Sequence, residues 1–242
     1  MAERFHAARR DPSLTVIEGF HAVKHAVRFG AEILEAATLD VSALSRLAGR
    51  LAPDVVRRLA SAEEVDVPTF ESLVPSPPRS GVVAIARRRV SDPAAMLADP
   101  APAPVVLLES PRRAGNVGAA IRSAAAAGAS GVIVTGDLDP WHPAALRGSA
   151  GLHFALPVAR VEELPRGDRP LVALDPGGER LGTGSLPARA LLAFGTEREG
   201  LSDELRGRAD LTFAIPMRPG VSSLNLGAAV AVTLYAWRLA RA

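Results

Sequence analysis

The chain has no cysteine. That excludes disulfides, thiolate metal sites and a cysteine nucleophile, and it fits a reducing, cytoplasmic setting. No apolar run approaches the ~20 residues needed to span a bilayer. The longest, Leu226 to Trp237, is broken by Thr233 and stops at Arg238, so it reads as a core or interface helix. Met1-Ala2-Glu3-Arg4 leads into polar sequence without the apolar stretch of a signal peptide. The chain has only one lysine, Lys24, so its basic character is carried by arginine. A G-x-G-x-x-G fingerprint is also missing, which argues against a dinucleotide-dependent oxidoreductase.

What is present is a globular composition, 48% apolar over 242 residues, enough for one large or two modest domains. The net charge is only +2, so the pI of about 9.8 overstates the basicity. Arginines bunch at Arg4, Arg9 and Arg10, at Arg87 to Arg89, and at Arg112 and Arg113. Guanidinium forks match phosphate geometry, so these clusters are compatible with nucleic acid as well as with an arginine-rich genome.

Residues 1–90 read as a small mixed α/β domain. It begins with a mobile basic arm over 1–10, followed by strands near Leu14–Ile17, Ile33–Leu39 and Val82–Ala86. Helices are expected near Phe20–Phe29, Ser42–Leu51 and Pro53–Ala60. Residues 91–104 are rich in proline and alanine and read as a partly extended linker. From Val105 to the end, continuous apolar strands alternate with helices, the pattern of a parallel sheet covered on both faces. Strands are expected at 105–108, 131–135, 156–158, 171–174, 191–194 and 211–215, with helices over 117–127, 143–147, 202–208 and 223–240.

Three loops of this second domain carry polar and glycine residues between an apolar run and the next element. The first runs from Gly115 and Asn116 through Gly118 to Arg122. Asn116 is a candidate helix cap, and Arg122 interrupts an alanine-rich helix. The second, Gly195 to Leu201, brackets Glu197 between Gly195 and Gly200. The third, Ile215 to Asn225, is stiffened by Pro216 and Pro219 and ends at Ser222, Ser223 and Asn225, with either serine a candidate cap for the last helix. Loops at strand ends are where α/β proteins keep their chemistry.

Together these segments resemble the motifs of the SpoU–TrmH family of RNA ribose methyltransferases, within the SPOUT superfamily. The likeness rests on Asn116 with Arg122 six residues on, on Gly195-Thr196-Glu197 leading to Gly200-Leu201, and on Ile215-Pro216-Met217 followed by Ser223-Leu224-Asn225. Ser149-Ala150-Gly151 before Leu156-Pro157-Val158 is similar to the family's central region. Ile17 to Val23 and Ser80 to Ala84 resemble, more weakly, its ribosomal-protein-like RNA-binding domain. Two positions depart from the pattern: Glu109 stands where aspartate is usual, and Ala114 where proline is common.

The resemblance implies a trefoil-knotted parallel-sheet domain over 105–242 and an RNA-binding domain over 1–90. It implies S-adenosylmethionine held at Gly195, Gly200, Ile215, Met217 and Leu224. It implies methyl transfer to a ribose 2′-hydroxyl, with ribosomal RNA favoured over transfer RNA. Asn116, Arg122, Glu197, Ser223 and Asn225 would form the catalytic set, in a cytoplasmic homodimer that needs no metal and no membrane. The alternative is a catalytically silent RNA-binding ribosome-assembly factor with the same fold; the intact set of five residues argues against it.

Overall fold

Short apolar runs in the first 90 residues become a four-stranded mixed sheet. The computed structural model describes residues 1–196 and 198–241. In chain order come α1 (Ala2–Ala8), β1 (Leu14–Glu18), α2 (Phe20–Arg28), β2 (Ile33–Thr38) and α3 (Val41–Leu51). A 3-10 turn at Pro53–Val55, α4 (Val56–Leu59), β3 (Glu63–Glu64), α5 (Val67–Leu73) and β4 (Val82–Arg87) come next. The strand order is β1-β4-β2-β3, antiparallel except where β3 joins β2. Asp40 and Asp66 start α3 and α5 by accepting the N–H of Ala43 and Thr69. The arm expected over 1–10 is instead helix α1. Its Phe5 and Ala8, three residues apart and so on one helix face, are buried in the same cluster as Phe70 and Leu73 of α5. Two buried residues in one short helix give too little periodicity to register in sequence.

The segment 91–104 also differs from expectation. Asp92 caps, and Pro93 opens, helix α6 (Pro93–Ala98), whose Met96 and Leu97 are buried with Val105, Leu107, Leu171 and Leu191. Proline at a first helical position is a start signal rather than a mark of disorder. The buried Arg169 ties down the end of α6 and the residues after it. It donates from Nε to the Leu97 carbonyl (3.0 Å), from Nη2 to Asp99 (2.9 Å) and from Nη1 to Ala103 (2.7 Å). Desolvation lowers the pKa of this guanidinium from its ordinary value.

Beyond it lie β5 (Val105–Leu108), α7 (Ala114–Ala127), β6 (Gly131–Thr135), α8 (Pro143–Gly148), a 3-10 turn at Leu152–Phe154 and β7 (Val158–Val161). The chain continues through β8 (Leu171–Arg180), β9 (Leu191–Phe194), α9 (Asp203–Gly207), β10 (Leu211–Ala214) and α10 (Leu226–Leu239). Six strands form one parallel sheet in the order β10-β8-β9-β5-β6-β7. All four residues of both β5 and β9 are buried, as central strands of a covered sheet must be. β7 starts at Val158, two residues later than expected, because Leu156 and Pro157 belong to the approach.

The chain divides into two units, and the division is not the continuous one expected. Trp141–Ala155 is grouped with Met1–Arg89, and Val90–Pro140 with the residues from Leu156 on. Inside the first unit Trp141 accepts a hydrogen bond on its carbonyl from Thr15 (3.1 Å), and the Ala150 carbonyl meets His25 Nδ1 at 2.7 Å. Arg9 and Arg147 both pair with the buried Glu18. Gly151 has φ of 78°, and a Cβ there would lie 2.2 Å from the Ala22 carbonyl oxygen. Gly151→Ala is therefore expected to cost about 3 kcal/mol of stability, combining left-handed backbone with overpacking; urea unfolding with an unchanged midpoint would refute this account.

Candidate active site

The carboxyl ends of β5, β8, β9 and β10 lie at one end of the parallel sheet, so the loops that leave them meet there. This is the end at which open α/β sheets place their ligands.

The loop after β9 is a tight two-way bridge. Thr196 donates its N–H to the Gly200 carbonyl (2.9 Å), and Gly200 donates back (3.1 Å). A Cβ on Gly195 would sit 1.9 Å from the Gly200 carbonyl carbon, so the loop closes only on glycine, and Gly200 itself has φ of 71°. The loop after β5 grips it at two points. Glu109 accepts from both the N–H (2.7 Å) and the hydroxyl (2.6 Å) of Ser202, whose Oγ also caps α9. Arg112 Nη2 donates to both carboxylate oxygens of Glu199, at 3.1 and 3.2 Å. The departure at Glu109 thus has a role that sequence reading missed; its only signal was the unusual residue at a strand end.

The third loop ends at Asn225, not at a serine. Asn225 Oδ1 accepts from the N–H groups of Gly227 (2.9 Å) and Ala228 (3.4 Å), so it is the cap of α10, which begins at Leu226 rather than 223. Ser222 and Ser223 are exposed residues of the loop. Asn225 Nδ2 meanwhile donates to Asn116 Oδ1 at 3.0 Å. Asn116 is not a cap either: α7 starts at Ala114, with Arg113 at the cap position and no side-chain bond there. Its side chain is directed instead to α10. The two helices come close because residue 227 is glycine, where a Cβ would lie 2.7 Å from that of Ala119.

Residues 174–176 of β8 and the loops after β9 and β10 enclose a cavity of about 410 Å³. Gly195, Gly200, Ile215, Met217 and Leu224, the five residues expected to hold a cofactor, all line it, as does Ser223. Asn116 and Asn225 form their hydrogen bond outside this lining. Arg122 is not brought to the cavity either; it is exposed on α7. Six residues at 100° each put it roughly 120° around the helix from Asn116. Glu197 lies outside the described residues. The charged lining residues are Asp175, Arg198, Glu199 and Arg206. Hydrogen bonding to Asp203 first and Asp175 second raises the pKa of Arg206 above its ordinary value. Among the described residues no group of three or more His, Asp or Glu side chains could hold a metal ion, and no helix is long and apolar enough to cross a membrane.

Comparison with known proteins agrees with this geometry. The model of the SpoU rRNA Methylase family matches residues 103–235. A 23S rRNA (uridine(2479)-2′-O)-methyltransferase of Streptomyces viridochromogenes is 37% identical over 144 residues, 54% of this chain and 50% of that protein. A 23S rRNA (adenosine(1067)-2′-O)-methyltransferase of Streptomyces azureus is 27% identical over 94% of this chain and 87% of its own length. Against relatives at 33–40% identity, the chain spans about half of their length or less. The crystal structure of an AdoMet-bound rRNA methyltransferase from Sinorhizobium meliloti superimposes with a TM-score of 0.79 at 25% identity, covering 100% of this chain and 95% of that one. With a family model that covers more than half of its residues and a parallel-sheet fold shared with solved SpoU methyltransferases, the chain belongs to the SpoU rRNA methylase family.

Proposed function

We propose that the chain methylates a ribose 2′-hydroxyl of ribosomal RNA with S-adenosylmethionine as donor. The observation that carries this reading is the closure of the second and third motif loops on one cavity, with the first motif tied to the third by the Asn116–Asn225 hydrogen bond. A volume of about 410 Å³ falls in the range of small-molecule sites. The residues fit the donor. Gly195 lets the loop close, Gly200 would put a Cβ into open space and so leaves its side of the cavity clear, and Ile215, Met217 and Leu224 offer apolar contact to a flat ring. Names of relatives support the same reaction: the Streptomyces proteins are 2′-O-methyltransferases of 23S rRNA, and the Sinorhizobium protein binds AdoMet. In this reading the loops around Gly195, Ile215 and Leu224 belong to the family's trefoil knot, and the first unit engages RNA in the cytoplasm.

When bound, the donor supplies a methyl group on a positively charged sulfur. A ribose hydroxyl is a poor nucleophile near neutral pH, so the protein must align it and stabilise its developing charge. Arg122 is unsuited to be the base, because a guanidinium is a donor only and has no lone pair free to take a proton. Its role is to bind the phosphate beside the target ribose and to stabilise the forming alkoxide. Asn225 and Asn116 lock α10 to α7, so that Ser223, two residues before the cap, is held at the cavity wall. Glu197 completes the polar set.

Exposure along α10 supports a homodimer. Ala228, Val232, Tyr235 and Leu239 recur at helical spacing on its exposed side, with Val232 at 45%, Tyr235 at 41% and Leu239 at 69% exposure. Val221 and Leu224 extend the apolar surface toward the cavity loop. In such an assembly Arg122 would serve the site of the second copy, in keeping with its absence from the cavity lining of its own chain.

Labelled S-adenosylmethionine should transfer methyl groups to ribosomal RNA stripped of modification, with the product mapped as 2′-O-methyl nucleotide; base methylation or no transfer would sink the reading. Arg122→Lys keeps the charge and loses the fork, and kcat is expected to fall at least about tenfold; near-wild-type turnover would remove the phosphate clamp. Asn225→Asp retains the cap acceptor but replaces the donor to Asn116 with an oxygen. Helix content should persist while methyl transfer drops, and full activity would show the Asn–Asn bond to be dispensable. Val232→Asp with Tyr235→Glu should convert a dimer to monomer in sedimentation, whereas a wild-type chain that is monomeric at micromolar concentration would contradict the assembly.

A further inference from the structure

The cavity lining includes an acidic side chain, Asp175, that neither methyl transfer nor the dimer makes use of. β8 pairs with β10 at Ala173–Thr212 and resumes at Glu179–Phe213, so Leu174 to Gly178 loop out of the ladder between two adjacent residues of β10. Glycine is required where this loop returns, because a Cβ on Gly178 would lie 2.6 Å from the Thr212 carbonyl carbon. Leu174, Asp175 and Pro176 of the loop line the cavity.

Asp175 is fixed from two sides. Its Oδ1 accepts the N–H of Gly177 at 2.9 Å, which makes a local turn, and its Oδ2 lies 3.5 Å from Arg206 Nη1. Its side chain is 16% exposed. Arg206 is itself anchored by Asp203 and also lines the cavity. A carboxylate offers about four lone-pair sites. One strong N–H and one long guanidinium contact leave Oδ2 with capacity for further donors. Because Arg206 already offsets the negative charge, the remaining capacity suits neutral O–H or N–H donors better than a second cation. The apolar lining residues Leu174, Ile215 and Leu224 suit a flat ring in the same cavity.

We propose that Asp175 recognises the nucleoside half of the methyl donor, accepting hydrogen bonds from its hydroxyl or amino groups, with Arg206 as the residue that positions the carboxylate. This rests on S-adenosylmethionine being the cofactor of the cavity. It places specificity on a side chain of the segment that leaves the β8 ladder.

Calorimetry on the full chain tests it with two probes. S-adenosylhomocysteine carries both nucleoside and amino acid; 5′-methylthioadenosine carries the nucleoside alone. Asp175→Asn is the diagnostic variant, because Asn keeps the Oδ1 acceptor for Gly177 while placing an NH₂ donor where Oδ2 faced the ligand. It is expected to weaken both probes by a similar factor, about tenfold, without moving the thermal midpoint. Arg206→Gln should weaken both by less. Weaker S-adenosylhomocysteine with unchanged 5′-methylthioadenosine would assign Asp175 to the amino-acid end and overturn the proposal, as would unchanged affinity for both. If the wild-type chain binds neither probe, the cofactor reading itself fails, and this assignment with it.

Discussion

The second unit depends on Asn225. Its oxygen satisfies two N–H groups at the start of α10, and its amide hydrogen reaches Asn116 on α7. A capping residue ordinarily serves one helix; here it fastens two, and the close approach of Gly227 to Ala119 is what brings them within reach. The loop from Ile215 therefore ends at a fixed point. The cavity wall at Ser223 and Leu224 is set by the packing of two alanine-rich helices rather than by the loop's own turn chemistry.

The other wall is set by contacts between loops. Glycine at 195 and 200 lets the β9 loop fold onto itself, and Glu109 and Arg112 hold it from the side of β5. Backbone groups of a loop that closes on itself are largely used internally, so side chains at its margins become the adjustable part of recognition. Asp175, on a loop ejected from β8, and Arg206, on α9, are such margins. Of the lining residues, Gly195 has no room for a Cβ against Gly200.

Much of this was legible from residue order. Runs such as Val105-Val106-Leu107-Leu108 and Leu191 to Phe194 are buried central strands, as their unbroken apolarity required. The five expected cofactor contacts all face one cavity. What misled was local and physical. Pro93 read as a linker residue is a helix start; Phe5 and Ala8 make a helix too short to show a period; Ser222, Ser223 and Asn116 are good caps by type, yet the cap of α10 is Asn225 and α7 has no side-chain cap. Several residues in a row with capping chemistry leave the choice to packing.

By itself the sequence determined the strand and helix pattern, the three loops and the family, because periodicity, turn sterics and motif spacing act over a few residues. Tertiary structure alone decided that Asn116 meets Asn225 across 109 positions, that Trp141–Ala155 joins the first unit, and that Arg122 lies off its own chain's cavity. Those outcomes depend on which helix faces approach one another, and that is fixed by the volumes of side chains far apart in sequence, such as the missing Cβ atoms of Gly227 and Gly151.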